Sequence, residues 1–394
     1  MDILFYRYGS ICEPDYIESF QKLGFQVTQI QDEMTNKTIL PSQTAQIVGK
    51  ALKEHSYTMV FTINFFPTVS DVCNIFGIPY LCVIVDSPIL ELYYDSIKNP
   101  CNKIFFFDRA LYEEFAPKNP QGCFHLPLAV NVERVHKVAT HTTSTEREKY
   151  HADISFIGSF YTEKCAYHKL TLSDHTRGYF EGLMEAQLRI YGYNFLAETL
   201  SDEMLAKVKE ENPDHFTFIE GMHVNERNWF ANQYLSVKVA EWERRRLFPY
   251  LVRGLKDASI HVYTGSDTSE ISGIQNRGLA KSLTEMPIIF HESTINLNPT
   301  ARSIKTGLSQ RVFDVCAAEG FLLTNYQEEL SDSFVIGEEV EVYTSFEDLL
   351  SKCDHYLSHP ADTKEIAHNA YEKVCRAHSY EIRIPQMLQL AFHL

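Results

Sequence analysis

The chain has 394 residues, 44% of them hydrophobic and 22% charged, which fits a globular protein of about two domains. Its 36 basic and 52 acidic side chains leave a formal charge of −16, which argues against a general nucleic-acid binder, because such proteins neutralise phosphate with a basic surface. The nine cysteines lie between Cys12 and Cys375 without a C-x-x-C pair, so they read as reduced thiols in a cytoplasmic protein.

The opening MDILFYRYG carries no basic region followed by an apolar core, so no secretory signal is read there. No uninterrupted apolar run reaches transmembrane length. Ile3 to Tyr6 is a short apolar strand, and Tyr8, Gly9 and Ser10 form the strand-to-helix loop behind it, a candidate to approach a sugar or its acceptor. Pro14 opens a helix that Gly24 ends. Phe25 to Ile30, Met59 to Ile63, Tyr80 to Val85 and Lys103 to Phe107 read as further strands, with helical patterns between them. This alternation predicts a parallel sheet covered on both faces. Residues 1–131 are therefore read as a first Rossmann-like domain.

Residues 132–150 are polar, rich in His, Thr, Ser and charge, and read as a linker. A second domain, 151–380, opens on the strand Asp153 to Ile157 followed by Gly158 and Ser159. A helical region spans about Arg177 to Leu255, and strands resume at Ser259 to Tyr263 and Pro287 to Phe290. Helices close the chain, the last of them over 381–394, with an apolar stretch from Leu388 to Leu394 suited to docking on the first domain. The expected fold class is thus α/β, with two Rossmann-like domains facing across a cleft lined by loops at the strands' carboxyl ends.

The most informative stretch is INLNPTARSIKTGLSQRVFDVCAAEGFLLTNY, Ile295 to Tyr326. It reads as a loop holding Arg302, Lys305, Thr306 and Gly307, a helix capped by Ser309 with Arg311 in its first turn, and a buried strand. Amides, dipole and basic side chains converge at such a helix start and favour a diphosphate. Asp314, one turn beyond Arg311, is placed to accept hydrogen bonds from ribose hydroxyls. Asn296 and Asn298 are either ligand contacts or turn-forming residues. Gly158, Ser159, Tyr263 and Gly265 lie at strand ends, where donor contacts compete with plain turns and, for Tyr263, with core packing. Asp86, in VDSP behind a buried strand, is the first domain's best candidate base, and helix or turn capping is its rival role. His291 is a second, weaker base candidate. No G-x-G-x-x-G follows the first strand, no Walker A pattern is present, and no H-E-x-x-H or carboxylate cluster suggests a metal.

The same stretch resembles the nucleotide-binding segment of the CgeB/YkvP-like spore-protein glycosyltransferase family. FGIPYLCVIVDSP, Phe76 to Pro88, resembles the companion N-terminal domain. ADISFIGSFY, Ala152 to Tyr161, resembles the opening of the C-terminal domain. EEVEVYTSFEDLLSKCDHYLSHP and IAHNAYEKVCRAHSYEIR resemble its closing segments. The resemblance implies a GT-B fold, with the nucleotide sugar on the second domain and the acceptor at the first. It implies a metal-independent glycosyltransferase using a UDP-, GDP- or dTDP-linked donor. The implied acceptor is a hydroxyl of a glycan or of a bacterial surface protein such as flagellin. Retaining GT-B enzymes often carry two glutamates with seven residues between them; here the second falls on Asp314 and the first on Thr306, which is not acidic. That departure favours inversion. Glu319 stands where relatives have glycine. A nucleotide-sugar epimerase and a non-catalytic binding module remain the other readings.

Overall fold

A computed structural model describes residues 1–392, so His393 and Leu394, the end of the expected docking segment, lie outside the described residues. Two compact units divide the chain. The first contains Met1–Asn131, Ile219–Val224 and Ala377–Leu394; the second contains Val132–Phe218 and Asn225–Arg376.

The first unit is built on six parallel strands: β1 Asp2–Tyr6, β2 Gln26–Ile30, β3 Met59–Ile63, β4 Tyr80–Val83, β5 Asn102–Phe106 and β6 Cys123–His125. Their spatial order is β2-β1-β3-β4-β5-β6. The buried runs of β1, from Ile3 onward, and of all of β3 mark central strands, whereas β2 alternates exposed and covered residues as an edge strand does. Phe61 on β3 packs against the rings of Phe5, Tyr16 and Phe20 at centroid distances of 5.0, 5.3 and 5.1 Å. Truncating such a buried ring costs about 3–5 kcal/mol. The last described helix, Tyr380–Phe392, belongs to this unit, and its Tyr380 ring lies 4.4 Å from that of Tyr16.

The second unit has its own six parallel strands: β7 Ala152–Ile157, β8 Ile260–Tyr263, β9 Gln275–Asn276, β10 Ser293–Asn298, β11 Leu322–Asn325 and β12 Glu341–Tyr343. They lie in the order β12-β11-β10-β7-β8-β9. Helices fill Asp174–Leu188, Asp202–Glu211 and Val237–Gly254, within the predicted helical region.

Three expectations need correction. Residues 132–150 are not an open connector but form the helices Val132–Thr140 and Ser144–Tyr150 within the second unit. The first buries Val132, Val135 and Ala139 on one face, a stripe thin enough to read as linker. Pro287–Phe290 is not a strand; Pro287 starts the helix Met286–Glu292, for which its fixed φ is suited. The strand is β10 behind it, disguised in sequence by two buried asparagines. Finally, the first unit is not contiguous. Ile219–Val224 contributes a bridge from Met222 to Tyr94 and a hydrogen bond from His223 N to Tyr93 O of 2.8 Å.

Candidate functional site

In the first sheet the chain runs to one side of β1 through β2, then returns to its other side at β3. The carboxyl ends of β1 and β3 flank this reversal, the place where open α/β sheets bind ligands. Behind β1 the Tyr8–Gly9 turn is held from below. Fully buried Glu13 accepts from Tyr8 N at 2.8 Å and Gly9 N at 2.9 Å, while Arg7 Nε pairs with its other oxygen at 3.0 Å. Behind β3 stands Asn64, a non-glycine residue with φ of 59°. Its Oδ1 accepts from Val85 N at 3.0 Å. Its Nδ2 donates to Tyr8 Oη at 2.9 Å and to Asp86 Oδ2 at 2.7 Å.

Tyr8 and Asp86, chosen separately from the sequence, are thus joined through a residue the sequence reading missed. Asp86 is exposed and Tyr8 half-buried. Burial pushes the Tyr8 phenol far above its ordinary value; a hydrogen bond with Ser10 opposes this, and the Asp86 charge adds to it. Tyr8 is therefore a neutral donor at any working pH, beside a carboxylate acceptor. The available signal for Asn64 was positional: it follows a buried, mostly apolar strand, as the VDSP segment does.

The second sheet reverses between β7 and β10. Gly158 and Ser159 follow β7, and the motif loop follows β10. Gly158 lies so close to the Phe156 ring that a Cβ there would stand 2.8 Å from it. Ser159 Oγ donates to Glu163 at 2.9 Å. Gly265 is exposed in the turn after β8. Tyr263 is different: it is buried with Tyr150, Ile288 and Ile289, and burial pushes its phenol up to about 12. It packs core and presents no face for a base to stack on.

Several predicted ligand residues turn out to build the loop. Asn296 is 2% exposed; it accepts from Ser155 Oγ at 2.8 Å and donates to Phe290 O at 2.8 Å and Phe321 O at 3.2 Å. Asn298 donates to Thr300 and Thr324 hydroxyls at 3.2 and 3.1 Å and to Ser309 Oγ at 3.4 Å. Ser309 has N-cap backbone geometry but makes no side-chain cap. Arg302 is buried, pairs with buried Glu243 at 2.9 Å, and lies 4.3 Å over the Tyr191 ring. Burial works against its charge, but Glu243 more than restores it. Asn194 donates to Arg302 O at 2.6 Å. The Thr306 hydroxyl donates to Glu329 at 2.6 Å, so a carboxylate from a later segment stands where Thr306 itself lacks one. Gln327 donates to Gly307 O at 3.2 Å.

Above this base lies the helix Gln310–Ala317. Arg311 and Asp314 are partly exposed and 3.3 Å apart, with Gln310 donating to Asp314 at 3.2 Å. Arg311 also lies 5.4 Å over the Phe290 ring. The helix start therefore offers one guanidinium and one carboxylate at neighbouring positions, a set able to hold phosphate and hydroxyl groups together. His291 is in a helix rather than behind a strand, and its Nδ1 donates to Ala318 O at 2.8 Å.

Among the described residues one group has metal-ligand chemistry: Cys165, His168 and Glu241, with ligand atoms within 4.8 Å of one another. The Lys238 ammonium lies 3.0 Å from Glu241 and 3.3 Å from His168, so a lysine already balances the buried carboxylate.

Solved structures share this architecture. A sucrose-phosphate synthase from Thermosynechococcus elongatus superposes with a TM-score of 0.57 at 9% identity, covering 99% of this chain and 98% of that one. A glycosyltransferase from Rickettsia africae ESF-5 gives 0.52 at 12% identity, covering 100% and 98%. Anabaena HepE, solved in complex with UDP-glucose, gives 0.52 at 9% identity over the full length of both chains. The fold is GT-B. By sequence, residues 244–389 match the family described as Glycosyl transferase-like; this stretch includes the motif loop, Arg311 and Asp314. Among the curated proteins, none matches the chain. No described helix is long and apolar enough to cross a membrane.

Proposed function

We propose that this GT-B protein is a cytoplasmic glycosyltransferase moving a sugar from a nucleotide diphosphate to an acceptor hydroxyl. The observation that carries this is the Arg311–Asp314 pair on a helix start within the stretch that is glycosyl transferase-like. Arg311 and the amides of the Thr306–Gly307 turn would hold the diphosphate, and Asp314 the ribose. Gly158, Ser159 and Gly265 would line the donor. Asn296, Asn298, Arg302 and Tyr263 would act beneath it by fixing the loop and its support. Departure of the diphosphate is assisted by cationic and amide groups, so we expect turnover to survive EDTA.

Asp86 is assigned as the base that takes the acceptor's proton, with inversion at the anomeric carbon. The CgeB/YkvP resemblance supports a protein Ser or Thr, as in flagellin, or a glycan as acceptor. The donor is tested first, by thermal shift with UDP-, GDP- and dTDP-sugars, since a ligand of the native state raises its stability. Asp86→Asn should then cut turnover by about 10²–10⁴-fold with donor affinity unchanged. Product configuration, read by NMR, should be opposite to that of the donor. Retention with an active Asp86→Asn enzyme would shift the chemistry to the Thr306–Glu329 pair. Donor isomerisation without acceptor would make it an epimerase, and binding without turnover a recognition module.

A further inference from the structure

Asn64 holds a left-handed backbone conformation that most non-glycine residues avoid and asparagine tolerates. Its carboxamide ties three chain positions together. Oδ1 takes the amide of Val85, fixing the backbone next to Asp86. Nδ2 has two hydrogens; one goes to Asp86 Oδ2 and the other to Tyr8 Oη. Two partners of a single –NH2 group stand roughly 5 Å apart. An oxygen atom between them would sit about 2.7–2.8 Å from each, ordinary O–H···O lengths.

The two sides differ in what they offer. Asp86 only accepts. Tyr8 Oη already receives a hydrogen from Asn64, so its own O–H is directed elsewhere and can reach a ligand oxygen. A hydroxyl group has one hydrogen to give and lone pairs to receive, which matches this pair.

Resting on the glycosyltransferase reading, we propose that Asn64 is a positioning residue that sets Asp86 and Tyr8 as the two sides of a cradle for the acceptor hydroxyl. In the transfer, the acceptor O–H bond breaks and its proton passes to Asp86. One oxygen lone pair, with Tyr8 hydrogen-bonded to the other, forms the bond to the anomeric carbon. The bond from that carbon to the diphosphate breaks, and its electron pair leaves on the diphosphate.

Asn64→Gly keeps the backbone conformation and removes the carboxamide. Turnover should fall about 10–100-fold, the effect of loosening a group near the reacting atoms, while calorimetry shows unchanged donor affinity. Asn64→Asp, close in size and also tolerant of this backbone, should lose turnover too, which guards against a folding artefact. In an Asp86→Asn background Asn64→Gly should add less than about twofold, because it acts through Asp86. Tyr8→Phe should raise the acceptor KM more than it lowers kcat. Wild-type turnover in both Asn64 variants, or losses that multiply in the double mutant, overturns the proposal while leaving the transferase reading intact. A wild-type chain that binds no nucleotide sugar overturns the donor reading, and this inference with it.

Discussion

In the first unit one carboxamide, Asn64, holds Asp86 and Tyr8 near the surface. In the second unit the motif loop rests on a layer of buried polar groups: Asn298, Arg302 on Glu243, Thr306 on Glu329, and Gln327 on the Gly307 carbonyl. Buried polar groups are costly to desolvate, so a loop resting on their mutual hydrogen bonds and ion pairs is costly to rearrange. A partly exposed cluster whose two functional groups are joined through a single carboxamide is cheaper to alter. This difference suits the proposed roles: a donor's diphosphate and ribose are constant demands, whereas an acceptor's surroundings vary among enzymes.

The largest expected effect tests the buried base. Arg302→Met leaves the Glu243 carboxylate uncompensated in the interior, which costs about 3–5 kcal/mol. Arg244, 3.9 Å from Glu243, supplies partial compensation and places the expectation at the low end of that range. Adding Glu243→Met should recover part of the loss, because the uncompensated carboxylate is removed, while buried Arg244 keeps its hydrogen bonds to the Ala240 and Pro299 carbonyls. Urea unfolding of both variants measures this. A loss under about 1 kcal/mol for Arg302→Met would mean the loop is not held by this pair, and the contrast between the two regions would fail.

A smaller effect separates the loop's base from its proposed ligand face. Arg311→Ala should weaken nucleotide-diphosphate binding by about 1.5–3 kcal/mol, the value of a charge-assisted contact, with little change in unfolding. Asp314→Ala should weaken ribonucleotides more than their 2′-deoxy counterparts. Loss of stability in place of affinity would assign the Arg311–Asp314 pair to structure.

These residues also show what the sequence could reveal. The strands of the first sheet were legible because burial on both faces makes them near-continuous apolar runs, as in MVFTI of β3. β10 was not, because Asn296 and Asn298 look like surface residues until their partners are known, and those partners include Phe321 and Thr324. Arg302 and Arg311 are likewise similar as letters in one basic stretch, from loop into helix start. Only Glu243, 59 positions from Arg302, separates the internal ion pair from the partly exposed one. Asn64 acts through long-range bonds and a backbone angle, neither of which a local pattern encodes.

The smallest expected effect concerns Glu319, a left-handed residue with φ of 55° at the corner between the helix Gln310–Ala317 and β11. Its carboxylate takes His368 from the helix Pro360–Ala377 at 2.8 Å and faces His136 from the helix Val132–Thr140 at 3.4 Å. It therefore ties two outer helices to the corner that ends the motif helix. The hydrogen bond to Glu319 raises the His368 imidazole above its ordinary 6.5, against a smaller opposing effect of burial. For Glu319, burial pushes upward, but the hydrogen bonds from His368 and His136 outweigh it and the carboxyl lies below its ordinary 4.5. A histidine raised on folding stabilises the native state below its unfolded value and loses that contribution as pH rises through the folded one. A depressed carboxyl stabilises above its unfolded value and loses that contribution as pH falls through the folded one. The tie is accordingly strongest between about pH 4.5 and pH 6.5. His368→Gln should lower Tm relative to wild type at about pH 5.5, with the gap closing by about pH 8.5 as the wild-type imidazole loses its charge. The His368 side chain is 59% exposed, so the gap should be small and should shrink further in high salt. A gap of equal size at both pH values would assign His368 to packing and remove the charge tie between the Glu319 corner and the helix Pro360–Ala377.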